Sequence, residues 1–145
     1  MKVINQMKLT FKGIPENEGF ARTAVCGFAA LLDPNIEEIS DIRTAVSEAV
    51  TNCIVHGYRY KEGEVEITAK ILEGNEIYIK IKDKGCGIEN IRQAMEPLFT
   101  TAPCEERAGL GFAVMESFMD SLRVTSGVDH GTVVIMRKKI GADNE

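Results

Sequence analysis

The chain has 145 residues and a net charge of −5, with 44% hydrophobic and 27% charged residues. This size predicts one globular domain over residues 1–145, and the acidic balance argues against nonspecific nucleic-acid binding, which needs a basic face. No apolar run is as long as a membrane span, and the N-terminus lacks the apolar core of a signal peptide, so we expect a cytoplasmic protein that does not contact a membrane.

The cysteines are scattered along the chain and form no CxxC pair. We therefore expect neither a sulfur-ligated metal site nor a disulfide framework. Two of them fall on predicted helices, where they are interpreted as small core residues of a reduced protein. The four are Cys26, Cys53, Cys86 and Cys104.

Residues 3–11 alternate as in a β-strand and end at a Gly-Pro turn over 13–15. A helix is predicted over about 17–32, after which Asp33-Pro34 marks a break, with Pro34 suited to the first turn of the next helix. The larger apolar residues of the first helix recur at helical spacing and predict its core stripe. They are Phe20, Ala24, Phe28 and Leu31, with Ala21, Val25 and Leu32 beside them.

The opposite face of this predicted helix carries one charge, Arg22, among Thr23, Cys26, Ala29 and Ala30. A solvated helix face normally carries several charges. Small apolar residues around one arginine favour a surface for a protein partner, since arginine is enriched at interface centres. The alternative is that one edge of this face packs under a loop.

Residues 41–58, DIRTAVSEAVTNCIVHGY, predict a second amphipathic helix that ends at a glycine. Apolar residues recur along it at three- and four-residue spacing and predict the side that packs in the core. They are Ile42, Val46, Ala49, Val50, Cys53 and Ile54.

A polar stripe of Glu48, Asn52 and His56 borders the apolar face of the second helix. A carboxylate and a carboxamide one turn apart can hold a hard cation by oxygen and take a proton from a nearby hydroxyl. The alternative is a helix with ordinary polar residues beside its core face.

The remaining pattern predicts a hairpin, a long segment without clear periodicity, another helix and a closing pair of strands. The fold class expected from this order is α+β, a two-layer α/β sandwich with a mixed, mostly antiparallel sheet and helices on one face. The expected elements are strands over 65–71 and 77–81 around a turn at 73–75, a short helix over 91–95, a helix over about 110–119, and strands over 121–126 and 132–139.

Asp83-Lys84-Gly85-Cys86-Gly87 directly follows a predicted strand. Two glycines around one residue allow a tight turn and the close approach of a flat or charged ligand to the main chain. Asp83, at a strand end, can accept a hydrogen bond from an exocyclic amine such as that of adenine.

A second glycine pair, Gly109 and Gly111, opens the helix predicted after the aperiodic segment. Backbone N–H groups at a glycine-rich helix start can bind phosphate, although the pair also suits a plain helix entry. Thr132, at the head of the last strand, is a further candidate because its hydroxyl can face the same pocket. Neither GxxxxGK[ST] nor GxGxxG is present, so a nucleotide site here belongs to another architecture.

The order ExxxN on a helix, DxGxGI after a strand, a long lid and GxGF before a helix resembles the ATPase superfamily of DNA gyrase, heat-shock chaperones, mismatch-repair ATPases and histidine kinases. The resemblance covers roughly residues 5–140 and implies a single histidine-kinase-like ATPase domain with an ATP lid. Within the superfamily, SEAVTNCIVHGY, DKGCGI, PLFTT, ERAGLGF and FMD resemble the anti-sigma serine kinases of endospore-forming bacteria.

That resemblance implies a homodimer that binds ATP and Mg²⁺, holds a sporulation sigma factor inactive and phosphorylates a serine on an anti-anti-sigma protein. Glu48 would be the general base, Asn52 the Mg²⁺ ligand and Asp83 the adenine reader. Gly85 and Gly87 would form the turn beneath the base, while Arg107 would meet the γ-phosphate. The chain departs from the family pattern before Pro103, where it has Ala102 instead of the more usual Lys.

Three alternatives remain. A nucleotide-dependent sigma-binding module without significant kinase activity needs Asn52 but not the Glu48 carboxylate. A histidine-kinase catalytic fragment needs a phosphoacceptor histidine on a helical hairpin, and neither His56 nor His130 lies on one. A gyrase- or chaperone-like ATPase carries large additional domains.

Overall fold

The computed structural model describes residues 2–57, 63–85, 108–127 and 131–141. Its five strands form one sheet in the order β1-β2-β3-β5-β4, and each neighbouring pair is antiparallel. The α+β sandwich is confirmed, and the described pairings are antiparallel rather than mixed. The strands are β1 (Val3–Lys12), β2 (Glu64–Leu72), β3 (Glu76–Asp83), β4 (Ser121–Gly127) and β5 (Gly131–Lys139).

In the described ranges, three α-helices pack against one face of this sheet, and their order relative to the strands agrees with the sequence. They are α1 (Glu18–Ala29), α2 (Ile36–Thr51) and α3 (Ala108–Phe118). A π-helical turn over Asn52–Gly57 continues α2. The predicted helix over 91–95, most of the predicted lid, Cys86 and Cys104 lie outside the described residues. In the part that is described, no helix is long and apolar enough to cross a membrane.

The alternation of side chains along the strands produces the two layers. Ile67, Ile79, Ile81 and Met136 point to the helices and are fully buried, whereas their strand neighbours face outward. The predicted β2–β3 hairpin is confirmed. Its turn places Gly74 at φ 85° and Asn75 at φ 58°, the left-handed region that these two residue types tolerate.

The second helix begins earlier than predicted. Asn35 caps it: the Glu38 backbone N–H donates to Asn35 Oδ1 at 2.7 Å, and the Asn35 N–H donates to Glu38 Oε1 at 2.9 Å. Pro34 therefore precedes the cap and is not in the first turn. The periodicity missed this start because the first turn carries Glu37 and Glu38 rather than core residues.

The predicted apolar stripe of the second helix is confirmed, since all six of its residues are buried. The predicted core side of the first helix is only partly right: Ala21 and Val25 are fully buried, and Phe28 and Leu32 pack against the core. Phe20 and Leu31 are 57% and 65% exposed, and the buried positions are Ala21, Val25 and Ala29. Small residues let α1 pack closely on α2, so the helix is rotated relative to the stripe that its largest side chains suggest.

Candidate functional site

The end of α2 carries the two predicted polar site residues. Glu48 and Asn52 are one helical turn apart and half-buried, as expected for a stripe at the border of the core. The backbone changes from α to π geometry at Asn52. Such changes often occur at functional sites, because the wider turn alters the direction in which side chains project.

The Asn52 amide nitrogen is buried and has no hydrogen-bond partner among the described residues. Buried polar atoms without a partner are rare in folded proteins and cost free energy. The amide also presents an oxygen, so one side chain offers an unused donor and a hard-cation ligand type. Asn52 is therefore suited to a ligand that carries oxygen acceptors.

Helix α3 approaches this pair at Gly111. A β-carbon at that position would lie 2.9 Å from Asn52 Nδ2, 3.2 Å from Asn52 Oδ1 and 3.3 Å from Glu48 Oε2. The carboxylate and the carboxamide therefore converge on one point of the α3 backbone, within the first turn of the helix. Gly109 lies in the same turn, where backbone N–H groups have no partner within the helix.

Asp83 is at the end of β3 and only 5% exposed. Its carboxylate accepts a hydrogen bond from the Gly85 backbone N–H at 2.8 Å, and the Thr132 backbone N–H and the Cys53 thiol lie near enough to lower its pKa. Burial raises the pKa of Asp83, and these three groups oppose the rise. A carboxylate has about four acceptor positions, so Asp83 retains acceptor capacity for a ligand.

The start of β5 packs directly on the end of β3. Gly131 has φ 78°, and a β-carbon there would lie 2.2 Å from the Asp83 carbonyl oxygen. No other residue type fits this close approach. The Thr132 hydroxyl lies 2.8 Å from Ser126 Oγ on β4, so Thr132 contacts Asp83 through its backbone and β4 through its side chain.

The structure thus brings together two groups of predicted residues. Glu48, Asn52 and Gly111 meet where α2 crosses α3, and Asp83, Gly85 and Thr132 meet where β3 and β5 end. Cys53 connects them, because it follows Asn52 in the chain and lies near Asp83. Gly87, Arg107 and the side chain of His56 lie outside the described parts of the protein.

Arg22 is not placed as predicted. Ala29 belongs to the core and Cys26 packs against it, so these residues do not form a face opposite the core. The Arg22 side chain is 39% exposed and lies 3.8 Å from Glu18 Oε1. It lines a cavity of about 440 Å³ together with Ser47 and Thr51 of α2, which immediately precede Glu48 and Asn52.

A larger open cavity of about 720 Å³ lies on the outer face of the sheet, lined by Thr10, Glu66 and Lys82 among others. These side chains point away from the helices. Size therefore does not identify the candidate site, which is defined by the buried polar residues between the helices and the sheet.

Two features of the site were missed from sequence. Cys53 was interpreted only as a core residue, although it also lies near the Asp83 carboxylate. Ser126 was not considered, although its hydroxyl donates to the Gly131 carbonyl oxygen at 2.7 Å. The position of Cys53 could have indicated this proximity, because the residue after Asn52 points to the core near the end of β3.

The family model that describes the histidine kinase-like ATPase domain matches residues 15–138. Among solved structures, the RsbU and RsbW domains of a Mycobacterium tuberculosis protein align with a TM-score of 0.68 at 18% identity, over 94% of this chain and 32% of that one. The mycobacterial sensor histidine kinase MprB aligns with a TM-score of 0.57 at 16% identity, over 91% of this chain and 97% of that one. These likenesses concern the fold.

Two other relatives are much more similar to this chain in sequence than these solved structures are. The anti-sigma F factor of Thermoanaerobacter sp. is 57% identical over 143 residues, covering 99% of both chains. That of Clostridium perfringens is 55% identical over 136 residues, 94% of this chain and 97% of the relative. Identity at this level over nearly the full length of both chains shows the family. The chain belongs to the anti-sigma F factor family and contains a histidine kinase-like ATPase domain.

Proposed function

We propose that this protein is an ATP-dependent serine kinase that binds and inhibits a sporulation sigma factor and phosphorylates a serine on its anti-anti-sigma partner. The observation that carries the proposal is the convergence of Glu48 and Asn52 on Gly111. A proton acceptor and a cation ligand beside a glycine-rich helix start are the groups that phosphoryl transfer needs. The family name supports a sigma factor as one partner, and the family resemblance implies an anti-anti-sigma protein as the other.

The nucleotide is proposed to bind between the ends of β3 and β5 and the first turn of α3. Asp83 accepts a hydrogen bond from the adenine amine with its remaining acceptor capacity. Gly85 and Gly87 form the turn beneath the base, and Thr132 holds Asp83 from β5. Gly109 and Gly111 present the backbone of α3 to the phosphates.

Asn52 is the proposed Mg²⁺ ligand, and it fits this role on two counts. Its amide oxygen is a ligand type that Mg²⁺ accepts, and its amide nitrogen, which lacks a partner among the described residues, can donate to a phosphate oxygen of the same nucleotide. No group of three or more His, Cys, Asp or Glu side chains in the described ranges can hold a metal. Mg²⁺ usually binds through one or two protein ligands plus phosphates and waters. When bound, it offsets charge on the triphosphate.

Glu48 is the proposed general base. It accepts the proton of the attacking serine hydroxyl while the hydroxyl oxygen forms a bond to the γ-phosphorus and ADP leaves with the bridging oxygen. Arg107 is proposed to stabilise the charge of the transferred group, together with the lid. Without a docked partner, Glu48 can orient a water instead, which gives slow hydrolysis.

Arg22 is the proposed contact for protein partners. The Arg22 side chain is partly exposed and lines a cavity together with Ser47, the residue before Glu48. An arginine in that place can pair with a carboxylate of a docked protein. Arg22 does not lie on a helix face opposite the core, as the sequence suggested. A partner bound at Arg22 would nevertheless be close to Glu48, the proposed base.

The rest of the proposal follows from the family resemblance, which implies the homodimer, and from the size, charge and apolar pattern of the sequence. It comprises a homodimer, a single domain over residues 1–145 and action in the cytoplasm, without direct contact to nucleic acid or membrane. Sedimentation analysis of the purified protein tests the homodimer. A single species with the mass of one chain would contradict it.

The second candidate function is a nucleotide-dependent sigma-binding module without significant kinase activity. The two functions are distinguished by incubating the protein with γ-labelled ATP, Mg²⁺ and the anti-anti-sigma protein. Label on the partner supports the kinase. ATP-dependent binding of the sigma factor without any label on the partner supports the binding module.

A further inference from the structure

Three polar side chains form a row across the end of the sheet, on the face that carries the helices. Asp83 on β3 lies directly opposite Thr132 on β5, and Thr132 lies directly opposite Ser126 on β4. The next residues along the same face of β3 and β5, Ile81 and Val134, belong to the core. Asp83 and Thr132 are themselves 5% and 9% exposed. The row therefore extends the candidate site onto β4, where the proposed function gives Ser126 no role.

The Ser126 hydroxyl makes two hydrogen bonds that together fix the direction of two protons. It donates to the Gly131 carbonyl oxygen at 2.7 Å, and it lies 2.8 Å from Thr132 Oγ1. A carbonyl oxygen can only accept, so the single hydroxyl proton of Ser126 points to Gly131. The hydrogen bond between the two hydroxyl groups then needs the proton of Thr132. Thr132 is therefore a donor to Ser126, and its oxygen presents acceptor lone pairs to any other group that it meets.

We infer that Ser126 is a positioning residue for base selection: by accepting the Thr132 proton, it leaves a second acceptor beside the Asp83 carboxylate. This inference depends on the proposed role of Asp83 in reading the adenine amine. Residues directly opposite each other on antiparallel strands have β-carbons about 4.5–5.5 Å apart, so the Thr132 hydroxyl and the Asp83 carboxylate line the same end of the site. Two acceptors there favour an amine at position 6 of the purine and disfavour a carbonyl oxygen, which is itself an acceptor.

The plain alternative is that Ser126 only stabilises the start of β5. Its hydrogen bond would then hold Gly131, where a β-carbon would lie 2.2 Å from the Asp83 carbonyl oxygen. A purely structural role predicts that loss of the hydroxyl weakens binding of every purine nucleotide to the same extent. A positioning role predicts a changed preference between bases, because the released Thr132 hydroxyl can turn and donate to a carbonyl oxygen.

The test compares ATP with inosine triphosphate, which carries a carbonyl oxygen in place of the 6-amino group, by calorimetric titration of the full chain with Mg²⁺. Inosine also carries a proton on N1, but this difference is common to all variants. We expect the wild-type chain to prefer ATP, and Ser126→Ala to lower this preference roughly fivefold, the usual effect of one hydrogen bond. Ser126→Thr keeps the hydroxyl and should preserve the wild-type ratio. Thr125→Ala, at an exposed position of β4, is the control and should also preserve it.

An unchanged or increased preference for ATP in Ser126→Ala would overturn the inference, whether or not both nucleotides bind less tightly. If Ser126→Ala does not fold, the decision passes to Ser126→Thr and Ser126→Val, whose new side chains have nearly the same shape. The preference should hold in the threonine variant and fall in the valine variant, and loss or retention in both would contradict the positioning role. On a Thr132→Val background, which has no hydroxyl to orient, Ser126→Ala should leave the ratio unchanged. A fivefold change on that background would also contradict the inference.

The wild-type titration separates this inference from the proposed function. If the wild-type chain binds ATP and inosine triphosphate equally, Asp83 does not read the amine, and both ideas fail. If the wild-type chain prefers ATP and Ser126→Ala keeps the full preference, Asp83 retains its role and only the Ser126 inference fails.

Discussion

Gly111 lies so close to Asn52 that a β-carbon on it would come within 2.9 Å of the Asn52 amide nitrogen. Gly111 therefore has two uses: its lack of a side chain lets α3 approach the end of α2, and its backbone is proposed to face the nucleotide. A side chain at this position must displace the Asn52 amide or the Glu48 carboxylate. The first prediction follows from this contact.

Gly111→Ala should weaken binding of ATP with Mg²⁺ at least tenfold, because the new methyl group displaces Asn52, the proposed ligand. Gly27→Ala is the matched control, since a β-carbon at Gly27 meets nothing within 4 Å. It should leave nucleotide binding unchanged and stabilise α1 by about 0.5–1 kcal/mol. Calorimetric titration and thermal melting of both variants provide the check. Normal ATP affinity in Gly111→Ala would show that the close contact is unimportant for binding.

Asn52→Ala should remove the part of ATP affinity that depends on Mg²⁺. The variant loses the amide oxygen proposed to bind the cation, while Asp83 remains in place. Titration with ATP in the presence of Mg²⁺ and in the presence of a chelator measures the two parts separately. A dependence on Mg²⁺ as large as in the wild-type protein would rule out Asn52 as a ligand.

Glu48→Gln should keep ATP binding and lose most phosphoryl transfer. The amide is nearly the same size as the carboxylate but cannot accept the serine proton. General-base removal typically costs on the order of 10²- to 10⁴-fold in rate. Single-turnover transfer from labelled ATP to the anti-anti-sigma protein measures this loss. A rate near that of the wild type would exclude Glu48 as the base.

The stability of the nucleotide-free protein should respond to the titration of Asp83. Because burial raises its pKa, the folded state binds this proton more tightly than the unfolded state does. The stabilising contribution is fully present below the unfolded value of about 3.9 and is lost as pH rises through the raised folded value.

Asp83→Asn does not titrate at this position and supplies the reference. The unfolding free energy of the wild type minus that of Asp83→Asn should increase as pH falls from about 7 to about 4. Urea unfolding at a series of pH values measures both proteins. A difference that stays constant, or decreases, would mean that burial does not raise the Asp83 pKa.

Arg22→Glu should abolish binding of the sigma factor or of the anti-anti-sigma protein, because the substitution reverses the charge proposed to pair with a partner carboxylate. Arg123→Glu, an exposed substitution on the outer strand β4, controls for the change in net charge and should bind normally. Titrations with each partner, beside an ATP titration, give the result. Unchanged binding of both partners by Arg22→Glu would exclude Arg22 as a contact.

Periodicity predicted the elements that are long and clearly amphipathic. All six residues that it predicted for the core side of α2 and the turn after it are buried, but it omitted Ala45, which is also fully buried. It was only partly right on α1, where the buried residues are mostly alanines and the large Phe20 and Leu31 face outward. A periodic pattern is dominated by large hydrophobic residues. The closeness of two packed helices depends instead on small side chains such as alanine, which contribute little to that pattern.

The placement of a candidate site residue could be predicted where its residue type has few uses in its context. Asp83 before a glycine-rich turn and Asn52 one turn after Glu48 are such cases. The proximity of Cys53 to Asp83 was not predictable, because it depends on how α2 lies across the sheet. The close approach of Gly111 to Asn52 has the same origin, since it depends on where α3 crosses α2.

The central claim is that this chain transfers the γ-phosphate of ATP to a serine. The most direct measurement incubates the purified protein with ATP, Mg²⁺ and its anti-anti-sigma protein, and identifies the product by mass spectrometry of the partner's peptides. We predict one phosphoserine per partner molecule, formed at the same rate as ADP. ADP formation with an unmodified partner, or phosphate on a histidine of either protein, would contradict it.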